Sequence, residues 1–377
     1  MTDNPLLETF KAPNYAPEFD RIKPEHYIPA IEKAIAEAKD NIEAIKNNPE
    51  PAGFQNTLVA LKATDETLEQ ILDVFDHLLV ATGGDDLHAL AKKIGPLTSN
   101  FSTDIILDAE LFNRVKSVYE EKNDLNLTTE QQTLLEETYQ SFVRGGADLD
   151  ESGKEHLREI NEKLSLLGPA FMNNVNKSSE SFQMVIEDEA DLSGLPDSVK
   201  DGAKHAAQDE GHSGKWLFTL DAPSFLPFLQ YADNRALREK IWRALTSRAY
   251  QDDYDNCDNI LEIINLRHQR AQLLGYDTHA DFVLERRMAE SRDKVEDFLD
   301  TLTDAYKQAA QHDLQALKTT AETNDGISDI KPWDIAYYGE KLKQETFNFT
   351  SEDVRPYFQL ENVLDGVFKH FSKLFDL

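Results

Sequence analysis

The sequence predicts a mainly α-helical fold, a multi-helix bundle with one small antiparallel β insertion at about 181–188 and 215–220. Apolar side chains recur at intervals of three and four residues over most of the chain, as expected for helices with one buried face. The interval changes to two between Phe182 and Ile186, and the run from Lys215 to Leu220 has a similar pattern, which is typical of strands. The chain shows no fixed-period repeat, which argues against a helical solenoid.

The N-terminal part is expected to begin as an extended arm, because the first twenty residues contain three prolines. Helices with clear stop signals follow, with predicted ranges of 24–47, 54–81, two further helices up to about 122, and 128–145. The last of these begins with Thr128 and Gln131, the spacing of a capping box. The sequence therefore predicts several amphipathic helices before the β insertion.

The predicted domain boundary lies near Asp221, where Pro223 and Pro227 follow in close succession. Residues 1–221 would form an N-terminal helical domain that contains the β insertion, whose strands are joined by a helix from about 196 to 209. Residues 222–377 would supply the first helices of a second domain. Their predicted ranges are 234–250, 255–274, 278–287 and 291 to about 323, and the last is expected to face the core.

The C-terminal stretch carries two aromatic or apolar helix faces. Pro332 suits the first turn of a helix that presents Trp333, Tyr337 and Tyr338 on one side. A final helix places Leu364, Val367, Phe368, Phe371, Leu374 and Phe375 on one side and runs directly to Leu377. We interpret this apolar ending as an interrupted domain and expect self-association through that face.

Composition and charge exclude several classes of function. The chain has 40% hydrophobic and 29% charged residues, and its formal net charge of −31 would repel nucleic acid and anionic membranes. A single cysteine, Cys257, excludes an internal disulfide and fits a reducing compartment. No signal peptide and no apolar run near the ~18 residues of a spanning helix is found, so we expect a cytoplasmic protein.

One segment matches the spacing of a calcium-binding loop. Asp148, Asp150, Ser152, Gly153 and Glu159 fit positions one, three, five, six and twelve of an EF-hand loop. A second such loop, with which the first would normally pair, does not occur in the sequence. We favour the alternative, in which Asp150 or Ser152 caps the following helix by accepting backbone hydrogen bonds.

The other candidate clusters point to no catalytic residue and no metal ligand in this chain. His77 and His88 have acidic neighbours, but such neighbours are common in so acidic a sequence. Cys257 and His268 lie eleven residues apart on one predicted helix, about 16 Å of rise, and cannot form a nucleophile–base pair. A Gly-x-Ser-x-Gly elbow is absent from the sequence, so serine nucleophile chemistry is not supported either.

Aromatic residues near the C-terminus are candidates for the wall of a substrate channel, namely Tyr337, Tyr338 and Tyr357. The alternative for Trp333, Tyr337 and Phe358 is burial in the core, which is the commoner fate of aromatic residues at helical spacing, and we favour it. Arg286 and Arg287 could hold a carboxylate of a peptide, but ion pairing with acidic residues of the chain itself is the use we expect.

Four segments carry a family resemblance. The sequences PWDIAYYGEKLKQ and RPYFQLENVLDGVF in the C-terminal stretch resemble the thimet oligopeptidase-like family of zinc metallopeptidases, above all its bacterial peptidyl-dipeptidase and oligopeptidase A branch. The opening NPLLETFKAPNYAPEFDRIKPEHYIPAI and the central LLGYDTHADF resemble the same family. The resemblance therefore covers essentially the whole chain.

The resemblance implies the N-terminal portion of a zinc-dependent peptidyl-dipeptidase or oligopeptidase that acts on short unfolded peptides. The family's metal motif, His-Glu-x-x-His with a further Glu, does not occur among the 377 residues, and no His-Glu dipeptide is present. We therefore expect zinc in the full-length parent, no zinc bound by this chain, and no activity of this chain alone. The alternative is a stand-alone, non-enzymatic helical interaction module.

Overall fold

The computed structural model describes residues 4–12 and 15–376, and its regular structure is almost entirely helical. In chain order the α-helices are α1 (Pro24–Lys46), α2 (Ala60–Lys62), α3 (Glu66–Ala81), α4 (Asp85–Ile106), α5 (Ala109–Glu120), α6 (Thr129–Arg144), α7 (Glu151–Ser181), α8 (Asp197–Asp209), α9 (Ala222–Tyr231), α10 (Arg235–Thr246), α11 (Cys257–Leu273), α12 (His279–Leu284), α13 (Arg292–Asp325), α14 (Ile335–Phe347), α15 (Ser351–Val354) and α16 (Leu360–Phe375). Shorter 3₁₀ or π-helical turns lie at Pro5–Leu7, Phe54–Val59, Glu189–Leu192, Pro332–Asp334 and Arg355–Tyr357. The predicted mainly α fold class is confirmed.

The β insertion is also confirmed. Strand β1 (Met184–Ile186) pairs antiparallel with β2 (Trp216–Phe218), and Val185 lies opposite Leu217. Both strands lie inside the predicted ranges and are shorter than predicted. Within the described part of the chain, these two strands form the one sheet.

The chain divides into two compact units. The first comprises the chain up to Asn173 together with Asn256–Lys294, and the second comprises Asn174–Asp255 together with the chain from Val295 onward. The divisions fall inside α7, immediately before α11 and inside α13. The predicted domains 1–221 and 222–377 remain a prediction about sequence domains, which this division by contacts does not test.

The core of the first unit is built around α1, which packs on α3, α4 and α5. Its buried side chains follow helical spacing: Tyr27, Ala30, Ile31, Ala34, Ala38, Ile42 and Ile45. The ring of Tyr27 meets that of Phe75 edge-on at a centroid distance of 5.2 Å. The capping box of α6 is confirmed, since the N–H of Gln131 donates to Oγ1 of Thr128 and the N–H of Thr128 donates to Oε1 of Gln131.

The predicted single helix from 54 to 81 is broken in the structure. A π-helical turn at Phe54–Val59 leads into α2, and α3 begins only at Glu66. The hydroxyl of Thr64 donates to the carbonyl of Leu61 at 2.7 Å. Thr64 and Asp65 thus interrupt the helix because their side chains favour local hydrogen bonds and cap positions over helix interiors.

The second unit has a core between the β insertion, α9 and α10. Met184, Ile186, Phe218, Phe228 and Ile241 are buried in one cluster. The rings of Phe218 and Phe228 meet edge-on at 4.6 Å. The sequence analysis did not predict helix α9, because its two prolines, Pro223 and Pro227, were interpreted as part of a domain boundary.

Proline is tolerated in α9 for a local reason. Pro223 lies in the first turn, where its missing N–H has no helical partner in any case. Pro227 occurs further along the helix, and apolar contacts of its neighbours Phe228 and Leu229, both buried, stabilise the helix there. Tertiary packing has therefore overridden the local breaker signal.

The prediction that α13 faces the core is wrong for most of its length. Leu299 is 53% exposed and Tyr306 is 65% exposed, whereas Thr320 and Ala321 near the C-terminal end are buried. The described residues of the second unit pack only on that end, so the apolar side chains along the rest of the helix are largely exposed to solvent.

None of the described helices is both long enough and apolar enough to cross a membrane.

Helix α16 also exposes the apolar face that its sequence predicts. The exposed large apolar residues along it are Leu360, Val363, Leu364, Val367, Phe368, Phe371, Leu374 and Phe375. Leu377, at the predicted apolar ending, lies outside the described residues. Self-association through this face stays a prediction.

A close backbone approach at Gly194 yields a test of the second unit. The residue has a φ of +83°, and a Cβ there would lie 2.2 Å from the carbonyl oxygen of Tyr231 and 2.7 Å from Oδ1 of Asp233. Gly194→Ala should lower the free energy of unfolding of this unit by at least about 2 kcal/mol, because strain at positive φ adds to a clash with backbone. All three tryptophans, Trp216, Trp242 and Trp333, belong to this unit, so urea unfolding followed by their fluorescence reports it.

The matched control is Gly339→Ala in α14, where a Cβ would have open space. That substitution should stabilise the unit by roughly 0.5–1 kcal/mol, since alanine favours the helix more than glycine. Equal effects of the two substitutions would contradict the packing described for Gly194.

Candidate functional site

A buried carboxylate organises the second unit around the segment that precedes α14. Asp334 is fully buried, and Arg235 approaches it with two nitrogens. Nε of Arg235 lies 3.0 and 3.1 Å from the two carboxylate oxygens, and its Nη2 lies 2.7 Å from Oδ2. The backbone N–H of Lys331 donates to the same Oδ2 at 2.9 Å. A carboxylate so surrounded can remain ionised without water.

Arg238 connects the same carboxylate to the junction of α9 and α10. Its side chain is 2% exposed, and its Nη2 donates to Oδ1 of Asp334 at 2.9 Å. Its Nη1 donates to the carbonyl oxygens of Ala232 and Asp233, at 2.7 and 3.2 Å. The guanidinium also lies 4.0 Å from the ring centroid of Tyr337. Arg238 of α10 therefore contacts both the carboxylate of Asp334, directly before α14, and the ring of Tyr337 within α14, and these contacts fix the two helices against each other.

The two predicted channel tyrosines of α14 are buried, and each hydroxyl donates to a carboxylate of the second unit. Tyr337 donates to Oδ1 of Asp233 at 2.8 Å, and Tyr338 donates to Oδ2 of Asp325 at 2.9 Å. Burial, with the hydrogen bond to Asp325, raises the pKa of Tyr338 to about 12. Burial and the bond to Asp233 likewise raise the pKa of Tyr337. Both phenols therefore stay protonated at neutral pH and act as donors.

The remaining aromatic candidates occupy other environments. Tyr357 is 81% exposed, and Phe358 is 68% exposed, so the expected core position of Phe358 is wrong. Trp333 is half-buried beside Trp242, with ring centroids 5.6 Å apart. Phe358 is exposed because it follows the short turn Arg355–Tyr357 rather than lying on a packed helix face. The structure does not test the role of Tyr337, Tyr338 and Tyr357 as channel residues, which remains a prediction.

A cleft of about 1050 Å³ lies within the second unit, near Phe358. Its walls are formed by α8, β2, α9 and the segment 352–358. Apolar side chains from β2 and α9 meet a polar group there, in which Nη1 of Arg355 donates to Glu352 and to the hydroxyl of Ser198. The volume slightly exceeds the range of about 300–1,000 Å³ found for small-molecule sites.

The calcium-like segment has the structure of a helix cap. Oδ1 of Asp150 accepts a hydrogen bond from the N–H of Gly153 at 2.7 Å, immediately before and within the first turn of α7. The capping interpretation is thus confirmed for Asp150. In the described part of the chain, no three His, Cys, Asp or Glu side chains are grouped so as to hold a metal ion.

Two further expectations concern the first unit. Cys257 is half-buried at the first residue of α11, as predicted for a small residue near a helix start. Arg286 forms an ion pair with Glu137, so the expected pairing of this arginine with the chain's own acid is confirmed.

Sequence reasoning missed the Asp334 network, although a partial signal exists. Arg235 and Arg238 are three residues apart and so lie on one face of α10. Such spacing is normally read as a solvated basic face, and their acceptor is 96 to 99 residues further along the chain. Local periodicity carries no information about that partner.

The C-terminal part of the sequence, which includes residues of both units, matches a known peptidase family. Residues 228–377, which include α10, Asp334 and α14, match the model of peptidase family M3. The predicted family resemblance is thus confirmed by the match of this region to the family model.

Individual relatives are similar over almost the whole chain. Oligopeptidase A of Salmonella typhimurium is 33% identical over 379 residues, covering 99% of this chain and 55% of the relative. Dipeptidyl carboxypeptidase of Escherichia coli is 31% identical over 378 residues, covering 100% of this chain and 56% of the relative. A probable cytosolic oligopeptidase A of Arabidopsis thaliana is 30% identical, with 100% and 54% covered. The chain spans about half the length of the curated relatives it matches.

The buried ion network predicts a large effect of one isosteric change. Asp334→Asn should lower the free energy of unfolding of the second unit by about 3–5 kcal/mol, because Arg238 would keep a buried charge without its counter-ion. Urea unfolding followed by tryptophan fluorescence measures the loss. The control is Glu239→Gln, which breaks an exposed i, i+4 pair with Arg243 on the same α10 and should cost less than about 0.5 kcal/mol. A loss of that small size for Asp334→Asn would contradict the role of the network.

The ionised state of Asp334 also predicts that the stability of the second unit depends on pH. Burial raises the pKa of Asp334, but hydrogen bonds from Arg235, the Lys331 N–H and Arg238 outweigh burial and lower the pKa below its ordinary value. The stabilisation by Asp334 is then complete above the unfolded pKa of about 3.9 and is lost as pH falls through the folded pKa. The stability difference between wild type and Asp334→Asn should shrink as pH falls from about 5 to 3. A difference that stays constant would show that Asp334 does not titrate as described.

Proposed function

We propose that this chain is the N-terminal portion of a zinc metallopeptidase that cleaves short unfolded peptides, as a peptidyl-dipeptidase or oligopeptidase. The observation that carries the proposal is the match of residues 228–377 to peptidase family M3. Similarity over 99% of the chain to a protein named oligopeptidase A supports it. A cytoplasmic location is part of the proposal and is supported by the single cysteine and by a relative named as cytosolic.

The residues of this chain do not fit a zinc site. The His-Glu-x-x-His motif is absent from the sequence, and the described residues contain no group of three suitable ligands. We therefore derive no step of peptide hydrolysis through zinc from these residues. The proposal assigns metal binding and the general base to a segment that residues 1–377 do not contain.

The proposed contribution of this chain is to hold the substrate-side framework in one geometry. The Asp334 network fixes α10 and the start of α14, and the hydroxyls of Tyr337 and Tyr338 hold α14 at two further points. A framework fixed by charge-assisted hydrogen bonds would hold a peptide in a reproducible position. In many enzymes such positioning raises the reaction rate by several orders of magnitude. Among the three candidate channel tyrosines, only Tyr357 exposes its ring to a substrate, so we propose direct contact for Tyr357 alone.

The competing function is a helical interaction module without enzymatic activity. The exposed apolar face of α16 favours it, since such a face usually marks a binding surface. An interaction module would bind a partner through α16 and would gain no peptidase activity from any added segment.

A peptidase assay separates the two functions. The 377-residue chain alone, given zinc and a panel of short unfolded peptides, should release no fragments, because its sequence lacks the metal motif and its described residues contain no group of three metal ligands. The same chain joined in cis to a segment that carries the family's metal motif, or supplied with that segment in trans, should cleave the panel in a zinc-dependent manner. Mass spectrometry of the products measures this.

The control replaces the general-base Glu of the metal motif in the added segment by Gln, which should reduce cleavage by several orders of magnitude while leaving the assembly intact. A zinc-loaded longer protein with a complete metal motif that leaves every peptide intact would overturn the peptidase proposal. Cleavage by the 377-residue chain alone would overturn the assignment of the metal site to another segment.

A further inference from the structure

Arg270 of α11, in the first unit, is a half-buried arginine without a counter-ion. Among the described residues its guanidinium has neither an ion-pair partner nor a hydrogen-bond acceptor, and its Nε is shut off from solvent. Every other half-buried or buried arginine of the described chain meets an oxygen acceptor, namely Arg114, Arg144, Arg158, Arg235 and Arg238. Because a partly desolvated guanidinium without an acceptor costs free energy, Arg270 needs a compensating group.

A second guanidinium and an imidazole add to the positive charge at this point. Arg267 lies three residues before Arg270, so the two side chains share one face of α11. His279, the first residue of α12, is half-buried, and its Nδ1 is also shut off from solvent without a hydrogen-bond partner among the described residues. Burial and the two arginines lower the pKa of His279, and burial and Arg267 lower the pKa of Arg270. Both shifts have the direction expected for cationic groups that lack a counter-charge.

The ring of Phe282 compensates only part of this charge. The guanidinium carbon of Arg270 lies 5.6 Å from the ring centroid, and that of Arg144 lies 4.5 Å from the same centroid. An aromatic ring attracts cations through its quadrupole, but it accepts no strong hydrogen bond from their N–H groups. The nitrogens of Arg270 therefore still lack acceptors.

The carboxylates closest in sequence do not supply the missing counter-charge. Glu285 pairs with Arg144, and Asp281 accepts a hydrogen bond from the hydroxyl of Thr278 at 2.6 Å. The charges that shift the pKa of the half-buried arginine and histidine are arginines, and no carboxylate of the described residues acts on either group. The remaining acidic residues of this region are Asp258, Glu262 and Asp277.

The geometry of the donors selects the class of anion. The formal net charge of −31 repels anions at long range, so an anion binds only where several short-range contacts act together. A guanidinium donates two parallel hydrogen bonds to two oxygens of one anion, and a neutral imidazole donates one more. A tetrahedral oxyanion with two charges offers acceptors in all these directions, whereas chloride offers one charge and no separate oxygens.

We propose that Arg267, Arg270 and His279 form a binding site for a divalent tetrahedral oxyanion, sulfate or phosphate, on the first unit. The bound anion supplies the counter-charge that Arg270 lacks and joins α11 to α12. The site is separate from the proposed peptidase function and does not depend on it.

Anion titration of the 377-residue chain tests the site. Sodium sulfate and sodium phosphate are each compared with sodium chloride at equal ionic strength, and binding is followed by calorimetry and by NMR signals of the backbone and arginine side chains. Each oxyanion should bind with a dissociation constant on the order of 1 mM and shift signals of residues 266–282. Binding of only one of the two oxyanions would assign the site to that anion.

The imidazole provides a readout that a purely structural role of the arginines would not give. A bound dianion favours the protonated form of His279, against the effect of the two arginines. Sulfate should therefore raise the pKa of His279 by about 0.5 or more relative to chloride, as followed by its ring protons during a pH titration.

Two arginine variants locate the anion. Arg270→Gln should weaken sulfate binding at least about tenfold, because it removes a charge-assisted pair of hydrogen bonds. The matched control is Arg158→Gln, which changes a half-buried arginine of the same unit that already pairs with Asp104 and Glu155, and it should bind as wild type does. Sulfate should also raise the thermal midpoint less for Arg270→Gln than for the control, a comparison in which its general stabilising effect cancels.

A further variant keeps the test valid if Arg270→Gln fails to fold. Arg270→Lys keeps the charge but loses the two-point contact, so it should bind sulfate with an affinity between those of wild type and Arg270→Gln. Circular dichroism reports the folding of each variant. The proposal is overturned if sulfate, phosphate and chloride act equally at equal ionic strength, if Arg270→Gln and Arg158→Gln bind sulfate equally, or if binding leaves the signals of residues 266–282 or the pKa of His279 unchanged.

Discussion

An ionised carboxylate can be buried only if cations and N–H donors replace its water, and the second unit is arranged around one such group. Asp334 receives hydrogen bonds from Arg235, Arg238 and the N–H of Lys331. Because Arg238 also holds the carbonyls of Ala232 and Asp233, one carboxylate positions the end of α9, the start of α10 and the turn before α14. Surface ion pairs of the same unit involve longer, solvated side chains and contribute far less.

The same unit shows what an amphipathic pattern does and does not specify. The apolar stripes of α13 and α16 are regular, yet both lie largely exposed. Periodicity says that a helix face requires an apolar partner, and it does not say which molecule supplies that partner. The exposed apolar stripes therefore favour assembly with another polypeptide. The pattern is the same whether that polypeptide is a catalytic segment or a second copy of this chain.

How well the sequence predicted a feature depended on how far apart in the chain the residues that form it are. Features set within a few residues were predictable, such as the helix bounds near Pro24 and Lys46 and the caps at Thr128 and Asp150. The strand pairing was predicted as well, although Met184 and Phe218 are 34 residues apart, because these were the two strand-like segments found in the sequence. The break at Thr64 and the helix α9 were missed because weak local signals competed with packing. The Asp334 network was missed because its partners are almost one hundred residues apart, whereas the buried state of Tyr337 was the favoured of two alternatives.

Under the proposed function, residues without a role as metal ligands would still influence how a substrate is positioned. Binding energy from parts of a substrate remote from the reacting bond can be used to orient that bond, so the groups that hold a substrate need not be those that react with it. The formal net charge of −31 also disfavours anionic ligands through a long-range repulsion that salt screens. The buried carboxylate of Asp334 holds α10 and the turn before α14 through hydrogen bonds that salt screens much less, so this part of the second unit should keep its geometry at salt concentrations that weaken the long-range repulsion.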